Sequence, residues 1–422
     1  MSRVLSILGL VLAAAAAAGA ALIIFPSPSK TLALAAILAG EKSLAIVALA
    51  VVAAVLALAS SRPGTRVLAA LAVLLSLAAL VVALIPAAQA LRLAGERRVD
   101  LSFGRYLGSK IDTEGPITAA KTVTYNTVDG RALGLDVYVS RSGSSAPSPA
   151  ILVAHGGGWS AGEKGDASLF SGFLADHGFT VFDVQYRIAP QPNWQAATGD
   201  LKCAVGWVKQ HASTPDWNVD TKRLTLLGRS AGGHLAVLAG STPGDPKLRP
   251  SCDAPDTTVE SVVDFYGPTD LVWGFSNHAA PAVYDSRAKE VGFVGGTPET
   301  SGDLYRLLSP TARVTPGGPR TLLIHGGRDQ FVAMTHSELM ADKLHEAGVR
   351  YESLYIPYAQ HGFDFVFGGF SEQIVEQVVL RFLSDQPQAA PPPSDELLPE
   401  ERNKPTPDAT TTDASSLDSK PN

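Results

Sequence analysis

Cysteine is nearly absent: the chain of 422 residues has two, Cys203 and Cys252. That excludes a disulfide-framework fold and any cysteine-rich metal site, and leaves one disulfide or two free thiols open. Charge is also sparse, at 18% of residues against about a quarter in an ordinary globular chain. The formal net charge is −6, and no basic stripe runs through residues 92–385, so nucleic acid is not an expected partner. Neither phosphate-binding glycine pattern is present, and no His, Cys, Asp or Glu cluster has metal-ligand spacing. No cofactor and no metal are therefore expected, and no internal repeat is found.

The missing charge is concentrated at the amino end. Val4–Phe25, Leu44–Ala59 (or from nearer Thr31) and Val67–Leu91 are apolar runs rich in Ala, Leu and Val. Each reaches or approaches the roughly 20 residues a helix needs to cross a bilayer. The first is too long for a cleaved signal peptide, and two more follow it. Residues 1–91 are thus expected to form a transmembrane region of about three helices, making the protein multi-pass.

An odd number of spans would put the amino terminus and residues 92–385 on opposite sides. Arg3, Arg62 and Arg66 would then share one side, and Lys30 and Lys42, beside Glu41, the other. Arginine in short loops favours the inside, which makes an extracytoplasmic location the expectation for the larger domain. Arg92, Arg97 and Arg98 point the other way but lead into a large domain, where that rule is weaker. If the second run does not span, the domain returns to the side of the amino terminus. At the far end, residues 386–422 are rich in Pro, Thr, Ser and acidic residues and are expected to be disordered.

Between these ends lies one domain's worth of alternating pattern. Apolar runs at 149–155, 179–186, 223–228, 260–266, 320–325 and 351–356 alternate with helix-like stretches at 196–211, 231–240, 333–347 and 371–384. Antiparallel strands are expected from Lys121 to Ser140. The pattern predicts an α/β fold, a mostly parallel sheet with helices on both faces.

Chemistry enters at Leu227-Gly-Arg-Ser-Ala-Gly-Gly-His234. Gly228, Ser230 and Gly232 make a G-x-S-x-G turn between a strand and a small-residue helix, which would lift the Ser230 hydroxyl above the sheet. Upstream, a strand ends in His155-Gly-Gly-Gly-Trp159, where bare backbone N–H groups can converge. The expected oxyanion donors are the N–H groups of Gly157, Gly158 and Ala231. Two later strands end in Gly326-Gly-Arg-Asp329 and Tyr358-Ala-Gln-His361. The order Ser, acid, His makes Ser230 the expected nucleophile, His361 its base and Asp329 the orienting acid. Asp270, after another strand, is the rival acid, and Asp329 could instead serve as a turn or helix cap. His155 is read as a brace for the oxyanion loop. His177, His211, His234, His278, His325, His336 and His345 are read as surface or packing residues. The segment from Asp270 to Ser309 should overhang the serine, with Trp273, Phe275, Tyr284, Val291 and Phe293 as lid, acyl pocket or ordinary core.

From about Val123 to Ser384 the chain resembles α/β-hydrolase esterases of the hormone-sensitive-lipase-like and feruloyl-esterase-like groups. The strings that carry the likeness are Leu135-Asp-Val-Tyr138, His155-Gly-Gly-Gly-Trp-Ser-Ala-Gly162, Tyr186-Arg-Ile-Ala-Pro190, Gly228-Arg-Ser-Ala-Gly-Gly233 and Tyr266-Gly-Pro-Thr-Asp270. The two strand-end motifs complete the set. The resemblance implies a membrane-anchored serine ester hydrolase of the carboxylesterase or lipase-like kind, acting on small or lipid-like acyl esters. An acyltransferase with the same triad, or a membrane protein that only binds ligand, are the alternatives. Arg229 departs from the acidic or neutral residue expected before the serine, which bears on substrate preference. Oligomeric state has no signature in the sequence.

Overall fold

The computed structural model describes residues 2–112, 119, 121–141, 143–213 and 217–384. The tail expected to be disordered lies outside them. Four helices open the chain: α1 (Ser2–Ile24), α2 (Lys30–Glu41), α3 (Ser43–Ala59) and α4 (Arg66–Arg97). The second apolar run is therefore broken: Ser29 caps α2, and α3 starts afresh at Ser43. Three helices, Arg3–Ile24, Ser43–Ser60 and Arg66–Arg97, are long and apolar enough to cross a membrane.

Their packing is inverted relative to a soluble bundle. The contact faces are alanine, with Ala13, Ala16, Ala53, Ala57, Ala72 and Ala83 fully or almost fully buried. The large aliphatics Val4, Val11, Val55, Leu58, Val67, Leu74 and Val81 point outward and are more than half exposed. In water each such side chain would forgo about 1.5–3 kcal/mol of burial. Small residues inside let helix backbones approach closely, which is how helices pack where the solvent itself is apolar.

A short helix, α5 (Phe103–Leu107), leads into an eight-stranded sheet. Its strands are β1 (Lys121–Val128), β2 (Arg131–Tyr138), β3 (Ser148–Ala154), β4 (Thr180–Val184), β5 (Val219–Arg229), β6 (Ser261–Phe265), β7 (Arg320–Gly326) and β8 (Tyr351–Ile356). Their order across the sheet is β1-β2-β4-β3-β5-β6-β7-β8. The β1–β2 and β2–β4 pairings are antiparallel and all others parallel. The central strands β3, β4, β6 and β7 are buried almost throughout, as a sheet covered on both faces requires.

One apolar core lies beneath α7 (Trp194–His211), α8 (Ala231–Ser241) and α12 (Thr335–Glu346), and a second beneath α6 (Ser168–Asp176) and α13 (Phe370–Leu383). The end of α4 belongs to the second core: Ala87, Ala90, Leu93 and Ala94 pack with Phe370, Ile374 and Val378. The apolar bundle and the sheet domain are thus joined by a shared interior as well as by the chain. Three helices, α9 (Leu271–Ser276), α10 (Ser286–Val294) and α11 (Pro298–Leu307), form the insertion between β6 and β7. The two cysteines are bonded to each other, tying α7 to the loop after α8.

Two carboxyls inside the sheet domain make stability pH-dependent. Burial pushes Asp183 up to about 7 against the opposing pull of the Gly165 N–H and Arg229, and it pushes Asp264 up to about 7 against His325 and the Gly267 N–H. One oxygen of each lacks a hydrogen-bond partner. A carboxyl whose folded pKa is raised holds its proton longer in the native state than in the unfolded one. The contribution of these two groups is then largest at the acid end and falls as pH rises from about 4 to about 7. The melting temperature of Asp183→Asn in detergent, taken relative to wild type, should accordingly rise between pH 5 and pH 8. A difference that does not change with pH would remove Asp183 as a cause.

Candidate active site

The sequence-predicted site residues meet at the carboxyl ends of the parallel strands, where open α/β sheets place their ligands. Ser230 follows β5 directly, with φ 55° and ψ −120°, a left-handed conformation that serine avoids. The strand-to-helix turn imposes it. Gly232 makes the tight turn possible, because a Cβ there would fall 2.1 Å from the Ala154 carbonyl oxygen. The serine backbone N–H donates to the Phe265 carbonyl at 2.8 Å, which pins the elbow to β6.

His361 Nε2 lies 3.0 Å from Ser230 Oγ, and His361 Nδ1 lies 2.7 Å from Asp329 Oδ2. An ionised carboxylate can only accept, so Nδ1 carries the imidazole proton and Nε2 presents its lone pair to the serine hydroxyl. Burial opposes ionisation of Asp329. The facing His361 and His325 outweigh it and hold the carboxyl well below the usual carboxylate range. Its other oxygen, Oδ1, accepts the N–H groups of Phe331 and Val332 at 2.8 and 2.9 Å. Asp329 thus meets the loop N–H groups with one oxygen and His361 with the other. Asp270 is occupied elsewhere: it caps α9 through the Trp273 N–H at 2.9 Å and accepts from Thr311 at 2.9 Å. The His361 ring is flanked by Tyr266 at 4.4 Å and Phe331 at 5.1 Å.

The glycine loop after β3 lies against the elbow: a Cβ on Gly156 would fall 3.4 Å from Ser230 Cβ, and Gly158 lines the cleft with Ser230 whereas Gly157 does not. Gly157 and Gly158 have φ of 106° and 59°, and a side chain on Gly158 would strike the Tyr284 hydroxyl and Lys289. Among the described residues, no acceptor takes the N–H groups of Gly157, Gly158 or Ala231. Ser230, Gly158 and Ala231 line one cleft of about 420 Å3 of empty space. His155 is buried, stacks on Tyr186 at 4.1 Å and bonds the Gly156 carbonyl through Nδ1 at 2.8 Å. Burial pushes its basicity down to about 4, so it stays neutral in its bracing position.

The insertion divides the expected lid residues. Tyr284 lines the cleft, whereas Phe293 is fully buried and stacks on Trp159 of the glycine loop at 4.6 Å. Phe275 packs on Tyr305, away from the serine. Phe331, Lys289, Glu290 and His336 also line the cleft and carry no local sequence signal.

The Arg229 guanidinium is buried 2.6 Å from Asp364 and within 5 Å of the Phe170 and Phe265 rings. It is not among the residues that line the cleft.

This strand order, with a strained serine after β5, an acid after β7 and a histidine after β8, makes the fold that of an α/β-hydrolase. The BD-FAE family model matches residues 135–344. Esterase LipC of Mycobacterium tuberculosis is 32% identical over 252 residues, 57% of this chain and 59% of that protein. The probable carboxylic ester hydrolase LipM of the same organism is 30% identical over 244 residues, 56% of this chain and 54% of that protein. The chain thus spans little more than half the length of these curated relatives. Among solved structures, the butyrate-bound form of Thermogutta terrifontis Est2 is 25% identical with a TM-score of 0.54, covering 65% of this chain and 97% of its own. The native form is 26% identical with a TM-score of 0.53, covering 64% and 93%.

Proposed function

We propose that this chain is a membrane-anchored serine ester hydrolase that works through Ser230, His361 and Asp329. The observation that carries the reading is the hydrogen-bond chain from Ser230 Oγ through both nitrogens of His361 to Asp329. Ser230 Oγ attacks the ester carbonyl carbon while His361 Nε2 takes its proton. The former carbonyl oxygen, now negative, rests on the N–H groups of Gly157, Gly158 and Ala231. His361 then returns the proton to the departing alkoxide, leaving an acyl-serine. Water, deprotonated by the same nitrogen, releases the acid and restores the serine. Asp329 stays ionised and fixes the tautomer throughout.

Activity is tested on the full chain in detergent with a ladder of chromogenic acyl esters, short to long. Cleavage with release of free acid supports hydrolysis. Acyl transfer to an added alcohol in preference to water would replace the reading by a transferase.

The alanine-faced bundle with outward aliphatics supports three membrane spans. Among the described residues, hydrogen bonds join the sheet domain to the bundle at the end of α1, at α2 and at the end of α4. Arg97 donates to the Ser353 carbonyl at 2.7 Å, Gln330 accepts the Ser27 N–H at 2.7 Å, and Ser371 donates to Glu41 at 2.8 Å. Arg3, Arg62 and Arg66 belong to the opposite end, so arginine content favours a domain outside the cytoplasm. The Cys203–Cys252 bond fits an oxidising compartment. Protease added to intact spheroplasts should digest the sheet domain and spare a tag at the amino terminus. The reverse pattern overturns the assigned side.

A further inference from the structure

The cleft holds a second set of polar groups that the triad chemistry does not use. Glu290, on α10, is 2% exposed and lines the cleft that contains Ser230. Its Oε2 is buried without a hydrogen-bond partner. Neighbouring cations are engaged elsewhere: Arg287 donates to the Phe275 carbonyl at 2.6 Å, and Lys289 to Ser160 Oγ at 2.8 Å. A buried carboxyl without partners weakens a fold, so stability gives no reason for it here. Burial, reinforced by Asp270, outweighs Arg287 and raises its pKa well above the ordinary value, which favours the protonated acid, with one O–H donor and one carbonyl acceptor.

His336 lines the same cleft. Its Nδ1 accepts the Asp270 N–H at 3.2 Å. Burial pushes the basicity of the ring down to about 3, so it is neutral and its one proton sits on Nε2. A Cβ on Gly274 would lie 2.9 Å from His336 Nε2 and 3.2 Å from Glu290 Oε1, so the two groups converge beside that glycine. Among the described residues, Nε2 has no hydrogen-bond partner.

An N–H donor beside a neutral carboxylic acid is complementary to a group that both accepts and donates. An alcohol hydroxyl does so, accepting from Nε2–H and donating to the Glu290 carbonyl oxygen. An alkyl chain would leave both groups unpaired, and an ammonium would meet the His336 N–H head-on. We propose that Glu290 and His336 form a hydroxyl-recognition subsite, so that the preferred ester carries a free hydroxyl within the cleft. The inference rests on the ester-hydrolase reading and names the substrate class of that site.

Two pairs of esters test it on the full chain in detergent: p-nitrophenyl butyrate against p-nitrophenyl 3-hydroxybutyrate, and propyl butyrate against monobutyryl glycerol. A site built around a substrate hydroxyl discriminates strongly against the analogue lacking it. In at least one pair the hydroxylated ester should have a kcat/KM about tenfold higher or more. Glu290→Leu should bring that ratio close to one, and Glu290→Gln, which retains a donor and an acceptor, should keep most of it. The ratio is taken on one preparation, so a reduced folded fraction cancels. Wild-type ratios near one in both pairs overturn the subsite, as does a ratio that survives Glu290→Leu. Cleavage of none of the four esters would instead overturn the hydrolase reading, and the subsite with it.

Discussion

Ser230→Ala should lower kcat/KM by about four orders of magnitude or more on whichever ester of the ladder the wild type cleaves best. The size follows from the geometry. The substitution removes only the attacking oxygen, and among the described residues Ser230 Oγ is the hydroxyl that His361 Nε2 bonds. The residual rate would come from the N–H groups of the glycine loop and from binding alone. The elbow should survive, because its left-handed backbone is set by β5, by α8 and by the bond from the Ser230 N–H to Phe265. An unaltered melting curve beside a collapsed rate is the expected pair of results. If Ser230→Ala retained a tenth of the wild-type rate, the nucleophile would be another group.

The residues legible in the sequence were those whose role is set by chain-local geometry. Gly228, Ser230 and Gly232 announce a turn that only one local conformation satisfies, and His155 to Trp159 does the same after β3. Asp329 and His361 were legible for a related reason: both follow strands, and strand ends converge on one edge of a parallel sheet. The choice of Asp329 over Asp270 agrees with the placement of the groups, since Asp270 is taken up by the start of α9.

What stayed hidden depended on long-range packing. Glu290 and His336 come from an inserted helix and from α12, and nothing in either segment tells which face will turn toward Ser230. Nor does the sequence tell that Arg229, the last residue of β5, buries its guanidinium against Asp364 rather than lining the cleft. The alanine-rich runs announced apolar helices. That alanine would face inward and leucine and valine outward follows only from how α1, α3 and α4 pack together.

The same buried arginine carries the largest expected effect on stability. Arg229 and Asp364 are almost entirely excluded from solvent, with side-chain exposures of 4% and 1%, and lie 2.6 Å apart. The carboxylate also accepts from the Tyr266 hydroxyl at 2.5 Å, and the Tyr266 ring packs against His361. Arg229→Leu would leave Asp364 buried with its charge uncompensated, a situation that costs about 3–5 kcal/mol. The variant should melt markedly earlier than wild type. It should also lose activity, because Asp364 fixes the tyrosine that flanks His361. Arg229→Leu combined with Asp364→Leu removes both charges and should be less destabilised than Arg229→Leu alone, the signature of a coupled pair. By contrast, Arg141→Ala breaks an ion pair whose two side chains are about half exposed, 48% and 56%, and should leave the melt nearly unchanged. If the double variant were no more stable than the single one, uncompensated charge would not be the cause. The aromatic packing of Arg229 on Phe170 and Phe265 would then account for the loss.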